Sequence, residues 1–116
     1  MSSPALDPKV LATLRQLNQP GEPDVVGEVL ALFRVDAPGR IEAITQAAAA
    51  GDSAGLQRAA HTLKGAAGSI GATELQRVCR ALEEAARAGH TVPASSSMAE
   101  LHHAFAQVRA AIDQLL

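Results

Sequence analysis

The stretch Ser53-Ala54-Gly55-Leu56-Gln57-Arg58-Ala59-Ala60-His61-Thr62-Leu63-Lys64-Gly65-Ala66-Ala67-Gly68-Ser69-Ile70-Gly71 decides how this chain folds. Projected at about 100° per residue, Leu56, Ala59, Ala60, Leu63, Ala66, Ala67 and Ile70 gather on one side. Ala54, Gln57, Arg58, His61, Lys64, Gly65 and Gly68 gather on the other. The pattern predicts an amphipathic helix capped by Asp52 or Ser53 and ended by Gly71 at its C′ position. His61 then projects from the middle of the outward stripe. Gly65 and Gly68 follow it on that stripe, one and two turns on. Glycine inside a helix costs about 1 kcal/mol relative to alanine, and this chain otherwise uses alanine freely, with 25 of them. A bare surface beside the imidazole gives a partner, or a group attached to the ring, room to approach. The competing reading is a small-residue notch for a neighbouring helix. Lys64, three residues on, can reach an anion carried by His61, and Arg58 flanks it from the preceding turn.

The rest of the chain is helical by the same spacing rule. Asp7-Pro8 reads as an N-cap with proline in the first turn, opening a short helix with Val10, Leu14 and Leu17 on one face. From about Asp24 to Ala50, Val26, Leu30, Phe33, Ala37, Ile41, Ile44 and Ala48 keep one phase. Pro38-Gly39 interrupts that segment. The unbroken phase favours one kinked helix; two helices with Asp36 as the second N-cap is the alternative. Thr73 with Gln76 reads as a capping box for a helix presenting Leu75, Val78, Leu82 and Ala86, with Cys79 a partly buried spacer just off that stripe. Ser97 with Glu100 reads as a second capping box, for a helix presenting Met98, Leu101, Phe105, Val108, Ile112 and Leu115. These segments predict an all-α fold: an antiparallel up-down four-helix bundle with a short additional N-terminal helix as a lid. The 116 residues form one domain, with residues 1–6 as a flexible tail.

Composition agrees. Hydrophobic residues make up 47% and charged residues 19%, a globular balance. Thirteen Leu and 25 Ala against eight Val and four Ile favour helix over sheet. A formal charge of −2 leaves no basic excess for a nucleic-acid backbone. One cysteine excludes an internal disulfide. No apolar run reaches the roughly 20 residues of a membrane span, and no secretory signal opens the chain, so a cytoplasmic protein is expected. The initial Met favours a free-standing protein over an excised domain.

Ala60-His61-Thr62-Leu63-Lys64-Gly65-Ala66-Ala67-Gly68-Ser69-Ile70-Gly71 resembles the signature of histidine-containing phosphotransfer (HPt) domains, His-x-x-Lys-Gly followed by small residues and a glycine turn. Phe33 to Ile41 and Ala50-Gly51-Asp52 resemble that family's second helix and turn; Gly39, beside the familiar proline, departs from it. The resemblance spans about Val26 to Gly89. It implies that His61 is the phosphoacceptor, Lys64 the phosphate-side cation and Gly65 the residue that clears space, with Gln57 and Arg58 supporting the site. Ala54, Gly68, Ser69 and Pro38 would belong to the receiver-docking surface. The partners it implies are receiver domains of response regulators and hybrid sensor kinases, met by a monomer.

Neutral imidazole is the nucleophile in such an exchange, and in-line transfer from an aspartyl phosphate needs little beyond alignment and charge neutralisation. The chain has no glycine-rich phosphate loop and no acidic cluster for Mg²⁺, so no cofactor is expected on it, and the cation belongs to the partner receiver. That predicts a covalent phosphoryl carrier without autokinase activity. His90 falls in a loop, and His102 and His103 point about 100° apart, so no metal site is expected. Two rivals stand beside this reading. One is a non-phosphorylated helical interaction module. The other is a helix-turn-helix DNA binder using Arg77 and Arg80, which Glu74, Glu83 and Glu84 oppose.

Overall fold

The structure, a computed structural model, describes residues 4–91 and 95–116. Its helices are α1 (Pro8–Arg15), α2 (Val25–Ala49), α3 (Ser53–Ser69), α4 (Thr73–Arg87) and α5 (Ser95–Leu115). No strand occurs among the described residues.

Aspartates start the first three helices by accepting otherwise orphaned backbone N–H groups. Asp7 accepts from Lys9 at 2.9 Å, Asp24 from Val26 at 3.1 Å and Asp52 from Gly55 at 2.9 Å. The other two starts differ from the sequence reading. The N-cap of α4 is Ala72, with no side-chain cap, and Thr73 instead donates to Gly71 O at 3.3 Å. The Thr73–Gln76 capping box does not form. Ser97 lies inside α5, which begins two residues earlier, so it is not a cap either; residues 92–94 of the preceding connection lie outside the described residues.

Helix α2 runs unbroken through Pro38. Pro38 lies on the exposed side, where the carbonyl that loses its helical N–H partner can turn to water. The two-helix alternative with Asp36 as a cap is thereby excluded. Val26, Leu30, Phe33, Ala37, Ile41 and Ile44 are buried along the helix.

Around the core, α3 packs between α2 and α4, and α5 closes against both α4 and α2. Phe33 of α2 and Phe105 of α5 meet with ring centroids 6.4 Å apart. Leu56, Leu63, Ile70, Leu75, Leu101 and Ile112 are fully enclosed. Helix α4 buries a wider face than its Leu75–Val78–Leu82–Ala86 stripe predicts, because it has neighbours on two sides. Cys79, expected to be a partly buried spacer, is fully buried, and burial pushes its thiol up to about 12.

Helix α1 turns a different face inward from the one predicted. Leu11 and Leu6 are buried, whereas Val10 and Leu14 are half-buried and Leu17 is exposed. Leu6 therefore belongs to the core and not to the flexible tail expected over residues 1–6, of which 1–3 lie outside the described residues. The Asp7 N–H donates to Gly71 O at 2.8 Å and seats α1 on the α3–α4 turn. Gly71 has φ +74°, and a Cβ there would lie 2.9 Å from Val10 Cβ. Gly71→Ala should therefore cost about 1–3 kcal/mol. Gly39→Ala, in the middle of α2 with open space around it, should add up to about 1 kcal/mol. Urea unfolding of the two variants checks the opposite signs.

Candidate functional site

His61 stands midway along α3 with its side chain 67% exposed. Beneath it, from the facing side of α4, comes Glu83, whose side chain is only 4% exposed. His61 Nδ1 lies 2.9 Å from Glu83 Oε1. Lys64 Nζ lies 2.6 Å from Oε2, and Arg87 Nη2 donates to Oε1 at 3.1 Å. A carboxylate taken out of water needs such partners. Lys64 above all, then His61, holds the Glu83 carboxyl below the ordinary carboxylate range against the upward pull of burial.

An ionised carboxylate can only accept hydrogen bonds. The proton on the ring is therefore assigned to Nδ1, which donates it to Glu83 Oε1. That leaves the lone pair on Nε2. One buried group thus fixes both the orientation of the ring and the nitrogen that can attack an electrophile. An open groove lined by Gln57, Arg58, His61, Thr62, Glu83 and Arg87 runs beside the ring.

The residues singled out in the sequence separate around this centre. Gln57 is half-buried and Arg58 exposed, both on the groove. Lys64 is half-buried and engaged with Glu83, so the cation expected to face solvent is held inward in this state. The two glycines part company. A Cβ on Gly65 would meet nothing within 4 Å, so the surface there is open. A Cβ on Gly68 would come 2.5 Å from Gln76 Nε2, so α4 already occupies that space. Gly68 is the packing notch and Gly65 the bare surface, because α4 covers only one flank of α3. Ser69 is exposed and donates to Ala66 O at 2.7 Å; Ala54 is exposed in the first turn of α3, and Pro38 is exposed on α2.

Glu83 and Arg87 were missed in the sequence. The available signal was the Leu75–Cys79–Glu83 row, at whose edge an acid sits where an apolar residue would be expected. No group of three or more His, Cys, Asp or Glu side chains suited to a metal occurs among the described residues. Nor is any helix there long and apolar enough to cross a membrane.

The Hpt domain profile matches residues 28–114. The chain is an Hpt protein. Histidine phosphotransfer in a phosphorelay is its function, and Hpt proteins act as phosphoryl carriers that interact with receiver domains. The crystal structure of histidine-containing phosphotransfer protein B (HptB) from Pseudomonas aeruginosa PAO1 superimposes with a TM-score of 0.87 at 34% identity, covering 97% of this chain and 95% of that one. No curated protein sequence matches the chain. Membership in the Hpt family sets aside the unphosphorylated module and the DNA binder as primary functions.

Two expectations follow for this Hpt site. Lys64→Ala removes the nearest cation from a buried carboxylate and should destabilise the fold by about 1–3 kcal/mol near neutral pH. Because the folded-state value of Glu83 is lowered, its stabilising pairing is fully present above the ordinary carboxyl range and is lost as pH falls through the folded value. The gap between wild type and variant in thermal unfolding should therefore close in acid. Gly65→Ala should raise the melting temperature more than Gly68→Ala does, and Gln76→Ala should remove the difference by emptying the notch.

Proposed function

We propose that His61 accepts a phosphoryl group on Nε2 from a receiver aspartate and returns it to another. The observation that carries this reading is the hydrogen bond from Nδ1 to buried Glu83, which leaves Nε2 as the nucleophile of an exposed ring. In-line attack by Nε2 on the aspartyl phosphate forms the N–P bond as the O–P bond breaks, and the carboxylate leaves with that electron pair. Arg58 and Arg87 line the groove where the phosphoryl oxygens would lie, and Lys64 is tethered nearby through Glu83. Gly65 keeps the receiver's approach clear.

The docking face extends from His61 across Gly65 and Ser69 to α2. There Leu32 and Val35, two large apolar side chains of α2, are 62% and 73% exposed. Val29, Phe33, Asp36, Arg40, Ala66 and Ser69 line the groove between this part of α2 and α3. A receiver that seats an apolar helix face on Leu32 and Val35 brings its acidic, Mg²⁺-binding pocket over the arginines. Of the surface expected from the sequence, Ser69 lines this groove, Pro38 is exposed on α2 outside the groove lining, Ala54 lies two turns before His61, and Gly68 gives way to Gln76. The short connections between α2, α3 and α4 support an antiparallel up-down course for the bundle. The chain needs no cofactor of its own and no autokinase activity in this scheme; the divalent cation arrives with the receiver, in the cytoplasm, and the carrier works as a monomer.

His61→Gln should abolish labelling by a phosphorylated receiver while circular dichroism and melting stay near wild type, since the ring fills no core volume. Label retained in the variant, or carried on His90, His102 or His103, would overturn the assignment.

A further inference from the structure

Glu83 has a second consequence in the loaded protein, and it rests on the reading of His61 as the phosphoacceptor. We infer that Glu83 keeps the proton on Nδ1 of phosphorylated His61, so that the ring leaves as neutral imidazole when the phosphoryl group is passed on.

Attack by Nε2 converts a neutral ring with Nδ1–H into a phosphoimidazolium, whose positive charge forms directly over the Glu83 carboxylate. On outgoing transfer a receiver carboxylate oxygen attacks phosphorus, the P–Nε2 bond breaks, and its electron pair returns to Nε2. With Nδ1 protonated, the departing group is neutral imidazole. Without that proton it would be imidazolate, a far stronger base and a far poorer leaving group. The proton never has to move in either direction, provided the protein holds it in place across the working pH range.

Glu83 is placed to do this. Its carboxylate is buried and lies 2.9 Å from Nδ1, so water does not compete for that contact from the carboxylate's side. Its carboxyl is held below the ordinary range, so it stays an anion and leaves the proton on nitrogen. The other charged groups facing it are Lys64 from α3 and Arg87 from α4, with the neutral thiol of Cys79 one turn away on α4 and Arg58 across the groove. Lys64 holds the carboxylate ionised and Arg87 donates to it, while both cations disfavour charge on the ring, so the Nδ1 proton depends on the carboxylate's negative charge.

The full chain, with its histidine rings labelled with ¹⁵N, can be phosphorylated chemically with phosphoramidate and titrated by NMR. In the wild type, Nδ1 of phosphorylated His61 should stay protonated well above the midpoint measured for the same protein unfolded in urea. Glu83→Gln keeps an oxygen that can accept from Nδ1–H but loses the charge, and the midpoint should fall by about 1–3 pH units. Transfer to a receiver should then decline above the new midpoint by about tenfold per pH unit, while wild-type transfer stays level there. Equal midpoints in wild type and Glu83→Gln overturn the inference. So does a wild-type midpoint no higher than that of the unfolded chain, which decides the matter even if the variant does not fold. Phosphorylation of His61 at Nδ1, or its refusal of phosphoramidate, overturns both this inference and the acceptor reading. A normal titration with no exchange to any receiver overturns the relay reading alone.

Discussion

A single carboxylate, buried between α3 and α4, organises this protein. Glu83 could not remain ionised inside the bundle without partners, and the partners it gathers are His61, Lys64 and Arg87. Satisfying one desolvated charge therefore fixes the imidazole, its tautomer and the nearby cations in one arrangement. Arg87 stays largely in water and Lys64 partly so, and the cost of burial falls mainly on the acid. A site built this way stays aligned before any partner arrives, which suits a reaction whose chief demands are alignment and charge.

Much of the architecture was legible in the sequence. The apolar rows of α2, α3 and α5 (apart from Leu115, which is exposed at the end of α5), the aspartate starts and the glycine end of α3 follow from local rules of period and capping. His61 stood out because it shares its face with glycines that a helix does not favour. What escaped was the rotation of one helix against another. Gly65 and Gly68 look equivalent in the sequence, and only the position of α4 makes one a gap and the other a seat for Gln76. Glu83 escaped for the same reason: it lies 22 residues from His61, and no local period links the two. Helix α4 also presents a broad buried face to two neighbours, so a narrow stripe was the wrong template for it and misplaced Cys79. The Thr73–Gln76 box was a plausible local motif defeated by tertiary contact, since Gln76 runs across to α3.

The outer surface divides along the same line. The α4 flank of α3 is closed by Gln76, Glu83 and Arg87, while the α2 flank stays open past Gly65 toward Leu32 and Val35. Apolar side chains left this exposed on a helix cost solubility without adding to the core, and they gain a rationale only when something covers them. Charge beside the histidine and apolar surface beyond it give a partner both an orientation and a place to rest.

His61, Lys64, Glu83 and Arg87 all lie within one helical hairpin, α3 and α4, joined by the short turn from Ile70 to Ala72. Its contacts close over a short length of chain, so little loop entropy opposes their formation. The apolar pair that faces outward belongs to a different element, α2. The buried charge network and that exposed apolar pair thus sit on different pieces of the chain. Substitutions at Leu32 or Val35 share no partner with Glu83, and their energetic effects should add to those at the hairpin instead of coupling with them. On the proposed docking face, α2 could be resurfaced without disturbing the carboxylate that orients the histidine.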